Sequence, residues 1–147
     1  PYFIISQNLL IKKEIFLAAN TITENYYGLD NFFSNQLKRQ NAKVGHIDNP
    51  VIHFGLETNS AFVTKALKAV ETTVIFERKG LMDTAERPLQ KSYLKLNSLG
   101  LAKIFNVTIS KFKGIMERNF LSGKPNLFWF DLYRLSYYID LKNGKDA

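Results

Sequence analysis

The chain has 147 residues, 46% hydrophobic and 22% charged, which places it among ordinary globular sequences and excludes wholesale disorder. A chain of this length makes one domain and buries roughly two thirds of its unfolded surface. Zero cysteines exclude a disulfide framework and a thiolate metal site, which fits a reducing compartment and a cytoplasmic expectation. The net charge of +7 is unevenly spread: residues 1–86 hold nine Lys/Arg and nine Asp/Glu, whereas residues 87–147 hold eleven against four. Such a basic tail either attracts phosphates, of nucleic acid or anionic lipid, or simply solvates a helix face.

No apolar stretch approaches the roughly 18 residues that cross a bilayer, and the first residues lack the pattern of a signal peptide. Because the chain starts with Pro1 and reads as a strand at once, the expectation is an excerpt of a longer polypeptide. Residues 2–11, rich in Ile, Leu and Phe, read as a buried strand or strand pair that leads through Lys12-Lys13-Glu14 into a brief helix. Residues 29–40 read as a helix with Asp30 near its start, Phe33 and Leu37 four apart, and Lys38-Arg39 in the last turn. That location alone explains Asp30 as a helix cap.

Two short strands are expected next, "KVGHID" and "VIHF", around the turn pair Asn49-Pro50. Beyond Glu57 the texture turns helical. Val63, Leu67, Val70 and Val74 keep a helical stripe up to Gly80, and a polar connector precedes a helix over residues 89–105. "ISKFKGIMERNFLSG" makes another, closed by Gly123, and "NLFWFDLYRLSYYIDLKNG" a last one with Phe128, Leu132, Leu135 and Ile139 on one face. The layout is α/β first and all-helical second, with no internal repeat.

"SQNLLIKKEIF", the Asp30 helix, "HIDNPVIHFGLE" and "NLFWFDLYRLSYYIDL" together resemble, in order, the second half of bacterial (Bacteroidetes-type) glycosyltransferase family 2 proteins. The most specific pieces are residues 49–57 and the Phe-Asp-Leu-Tyr string of residues 130–133. The resemblance implies an α/β fold: a partial, Rossmann-like GT-A glycosyltransferase domain, its acceptor-side half over residues 1–57, followed by a helical basic and aromatic extension over residues 58–147. It further implies an inverting enzyme that moves a sugar from a nucleotide-sugar donor to a glycan or lipid-linked acceptor with a divalent metal, Mg²⁺ or Mn²⁺.

Within that resemblance Asp30 falls at the family's catalytic base, with Leu29 where the family has Glu, and a shortened loop from Ile22-Thr23-Glu24 leads to it. His53 falls at a late histidine that ligates the metal or contacts the donor diphosphate, and Asn8 at an asparagine beside the acceptor. His46 and Glu57 receive no role. A base within hydrogen-bond reach of the acceptor suffices for the proton transfer. The metal, which neutralises the leaving diphosphate, wants oxygen ligands. The family's Asp-x-Asp ligand and its nucleotide-binding strand have no counterpart here, because all six aspartates stand alone. The expected chain is therefore incomplete by itself, and a non-catalytic binding or assembly module derived from the same fold is the alternative.

Trp129, Phe128, Phe130, Tyr133, Tyr137 and Tyr138 crowd the last helix, with Arg134, Lys142 and Lys145 among or after them. Such rings either enter a lipid headgroup layer at the inner face of the cell membrane or pack against the catalytic domain or a second subunit of a homo-oligomer. Nucleic acid is not an expected partner, because no helix-turn-helix, zinc-finger or ribonucleoprotein signature is present.

Overall fold

The computed structural model describes residues 2, 4, 8–52, 54, 55 and 57–144. Six helices follow one another: α1 (Lys13–Ala19), α2 (Leu29–Arg39), α3 (Asn59–Arg78), α4 (Pro88–Ser98), α5 (Ala102–Phe120) and α6 (Leu127–Lys142). No described residue lies in a strand. This overturns the α/β expectation, and with it the partial GT-A, Rossmann-like domain, which requires a sheet covered by helices on both faces.

The error has a local cause. Short apolar runs such as "VIHF" do not distinguish a strand from any other extended segment, because strand formation depends on a neighbour to complete the ladder. Residues 43–52 form neither helix nor strand, and Ile47 and Ile52 are 85% and 81% exposed. Likewise the described positions of residues 2–11 form no strand; Ile4 and Ile11 pack on Ala19, Phe33 and Leu37.

The helices are punctuated by their caps. Thr58 Oγ1 accepts from Ala61 N (3.2 Å) to start α3, and Asn126 Oδ1 accepts from Trp129 N (3.0 Å) to start α6. Residues 89–105 are not one helix. After α4, Gly100 takes a left-handed φ of 69°, Leu101 N donates to Leu96 O (2.9 Å), and Gly100 N donates to Asn97 O (3.0 Å). This double closure ends a helix where a glycine stands. The same pair of bonds ends α3 at Gly80 and α2 at Asn41, whose φ is 51°.

Helix α6 is the hub, packing against α3, α4 and α5. Phe130 and Tyr133 meet Ile109, Met116 and Phe120 of α5, with Phe120 edge-on to both rings at 5.5 and 5.3 Å. Tyr138 and Leu141 meet Val70 and Val74 of α3, with Leu89 and Tyr93 of α4 alongside. Phe130, Tyr133 and Tyr138 are thus buried within the chain itself, whereas Phe128, expected on the apolar face, is 67% exposed. The N-terminal helices join this body through α2 and the segment before it, where Phe32 of α2 and Tyr26 ahead of it stack edge-on against the fully buried Phe76 of α3. No helix among the described residues is long and apolar enough to cross a membrane.

Candidate functional site

Asp30 is the second residue of α2, and its side chain does not cap that helix: the N-cap is Gly28, with a left-handed φ of 85°. Its backbone carbonyl accepts from Ser34 Oγ (2.8 Å), while the carboxylate is exposed and has no hydrogen bond or ion pair to any described residue. Asn8 lies elsewhere. Its Nδ2 donates to Asn49 O (2.7 Å), and Asn49 Nδ2 returns a longer bond to Asn8 Oδ1 (3.4 Å), tying the N-terminal segment to the 43–52 segment. No hydrogen bond or shared cleft joins Asn8 to Asp30 among the described residues. His53 lies outside the described residues.

Next to Asp30, Asn31 lines two open clefts. The first, about 500 Å³, runs between α3, the start of α4 and the first half of α6, with Arg87 and Arg134 in its walls. The second, about 440 Å³, runs along α2 to Met82 and Lys91 and also takes in Arg87. Asn31 and Arg87 therefore stand where the two clefts meet. The approach of α2 to α3 that sets this junction depends on Gly28, where a Cβ would come within 2.9 Å of Ala69 Cβ.

The cations around the clefts differ in their freedom. Lys38 is held by Glu86, and that hydrogen bond raises its pKa above the ordinary value. Arg39 donates to Asp83 Oδ1 (2.8 Å), and with Asn35 Nδ2 (3.0 Å) it lowers the Asp83 pKa. Arg134 pairs with Asp131 at 3.3 Å and lies over the Phe130 ring. Arg87 and Lys91 have no ion pair among the described residues.

Sequence reasoning missed a buried polar knot beside the first cleft. Glu77, whose side chain is fully buried, accepts from Tyr138 Oη, Gln90 Nε2 (2.5 Å) and Lys142 Nζ (3.0 Å). Gln90 in turn donates to Asp83 O (2.8 Å) and accepts from Arg87 N (2.7 Å) and Glu86 N (3.0 Å), which fixes the entry to α4. An acidic residue seven after Val70 and three after Val74, in line with an otherwise apolar helical stripe, was the available signal. Among the described residues no three Asp, Glu or His side chains gather in a group that could hold a metal ion, and His53, the expected ligand, lies outside them.

No protein-family model, curated protein or solved structure matches the chain.

Proposed function

We propose that the protein works in inverting sugar transfer from a nucleotide-sugar donor to a glycan or lipid-linked acceptor, with Asp30 as the base that takes the acceptor proton. The carrying observation is the carboxylate itself: exposed, in the first turn of α2 and unpaired with any described residue, although Asp30 lines neither of the two clefts that its neighbour Asn31 enters. A general base must reach the acceptor hydroxyl directly, and a carboxylate tied into an ion pair could not. The likeness of the 49–57 and 130–133 strings to glycosyltransferase family 2 proteins supports the same reading. The activity belongs at the cytoplasmic face of the cell membrane, where lipid-linked acceptors reside. A panel of nucleotide sugars offered to the intact protein, followed as nucleoside diphosphate released, tests it. Asp30→Asn is expected to lower kcat by about 100-fold or more with unchanged helicity; undiminished transfer removes Asp30 as the base.

A second reading, a non-catalytic binding or assembly module, is favoured by a different observation. Ile47, Val51, Ile52 and Phe54, close together in sequence, are 85%, 54%, 81% and 86% exposed. Apolar side chains concentrated this way mark an interaction surface. Absence of transfer by the intact protein, together with loss of self-association or membrane recovery in Ile47→Ser/Ile52→Ser/Phe54→Ser, would favour it.

A further inference from the structure

We propose that the two clefts joined at Asn31 and Arg87 form one binding site for a hydroxyl-bearing phosphate ester, a ligand class separate from any nucleotide-sugar donor and independent of the role given to Asp30. The charge argument comes first. The carboxylates in the walls, Asp131 and Glu86, are each committed to a cation, Arg134 and Lys38 respectively. Arg87, the N-cap residue of α4 at the junction, and Lys91, one turn into that helix and in the wall of the second cleft, have no ion pair among the described residues and supply the positive charge. Guanidinium and ammonium groups in a cleft recognise phosphate oxygens through charge-assisted hydrogen bonds.

The second argument is polar satisfaction. Two buried side-chain atoms among the described residues lack a hydrogen-bond partner, Asn35 Oδ1 and Arg134 Nε. Each belongs to a residue lining one of these clefts. Unsatisfied buried polar atoms are uncommon and costly, and a ligand that completes them is one explanation for their presence beside a cleft. Arg134 Nε is a donor suited to a phosphate oxygen. With Nδ2 held on Asp83, the Asn35 amide presents only its acceptor Oδ1, so the ligand must offer it a donor, for which a hydroxyl is suited. Both atoms are shielded from water, so engaging them requires each side chain to turn toward the cleft that its residue lines. The phosphate therefore sits between Arg87 and Arg134, and the hydroxyl-bearing part extends past Asn31 toward Asn35.

Titration calorimetry with glycerol phosphate, inorganic phosphate and sulfate tests the site in the intact protein. Saturable binding of glycerol phosphate is expected, weakened about tenfold or more in Arg87→Met/Lys91→Met. Neither side chain carries an ion pair among the described residues, so the variant is expected to keep its fold, checked by helicity and melting temperature. Unaltered affinity in that variant, or no saturable binding of glycerol phosphate, overturns the proposal. Inorganic phosphate or sulfate binding as tightly as glycerol phosphate overturns the hydroxyl-bearing assignment. Phosphatidylcholine vesicles containing phosphatidylglycerol separate the sources: co-sedimentation lost in the same variant assigns the ester to a lipid headgroup, and binding of the soluble ester alone assigns it to a free metabolite.

Discussion

Tyr138 and Glu77, 61 residues apart in the chain, share one proton between three oxygens: Tyr138 Oη lies 2.8 and 2.7 Å from the two carboxylate oxygens of a side chain that has no solvent exposure. The contact bolts α6 to α3, and Gln90 brings α4 to the same carboxylate. Removing the carboxylate leaves a phenol, an amide and the Lys142 ammonium without their acceptor inside the body. Glu77→Ala should therefore cost about 3 kcal/mol or more in urea unfolding, and Tyr138→Phe about 1 kcal/mol, since the latter leaves Glu77 two other donors. Equal costs for the two would show that the carboxylate is not the centre of the knot.

The alkaline limit of stability follows from the same helix. Burial, and then hydrogen bonds to Glu117, Glu71 and Glu77, raise the pKa of Tyr133, Tyr137 and Tyr138 well above the ordinary 10.0. The fold holds these protons more tightly than the unfolded chain does. Their contribution is complete below about pH 10 and declines as the pH climbs toward the folded-state values. Melting temperature should be flat between pH 8 and pH 9.5 and fall beyond it. The tyrosinate absorbance of these rings should appear only with unfolding. Tyrosinate forming at pH 10 in protein that is still folded would contradict the burial argument.

The acid limit involves Asp83, whose pKa is lowered first by the hydrogen bond from Arg39 and then by that from Asn35. Here the unfolded chain holds the proton more tightly. The contribution is present above the ordinary value of 3.8 and is lost as the pH falls below it. Because Arg39 and Asp83 are well exposed, with 39% and 42% of their side chains accessible, the pair is worth at most about 1 kcal/mol. Asp83→Asn should lower neutral-pH stability by that much and flatten the unfolding profile between pH 4 and pH 2, measured by urea midpoints.

What could be read without coordinates was the helical periodicity and its stops. The α2 and α3 stripes, with Lys38-Arg39 closing one and Gly80 the other, are local patterns, and they stand where periodicity put them. The expected strands failed because a ladder is a tertiary property: nothing within "KVGHID" says whether another strand lies beside it. Gly100 does not by itself divide residues 89–105, since an isolated glycine inside a helical pattern is compatible with a tolerated interior residue as well as with a stop. The last helix carries more rings than one stripe can hide because α3, α4 and α5 surround it on several sides, which no single-helix projection reveals. As for the site, Asp30's place at a helix start was local and visible. The clefts beside it depend on α2, α3, α4 and α6 meeting, so Arg87, Asn35 and Arg134 gave no joint signal in the sequence.

Two left-handed glycines separate conformational strain from steric overlap. Gly28 and Gly100 have φ values of 85° and 69°, so an alanine at either pays the left-handed penalty of about 1–2 kcal/mol. At Gly100 nothing lies within 4 Å of the added methyl group, and the penalty is the whole effect. At Gly28 the methyl group would meet Ala69 Cβ at 2.9 Å and Ala69 Cα at 3.2 Å, atoms fixed by helix α3 that cannot step aside. That overlap adds about 1–3 kcal/mol. Gly28→Ala should thus destabilise by about 2–4 kcal/mol and Gly100→Ala by about 1–2 kcal/mol. Ala69→Gly should recover part of the Gly28→Ala loss while weakening the parent protein, because it removes one colliding atom but lowers helix propensity within α3. A double-mutant cycle measured by urea unfolding gives the coupling. A coupling energy of zero would mean that α2 does not approach α3 at this point, and the junction of the two clefts at Asn31 would have to be built differently.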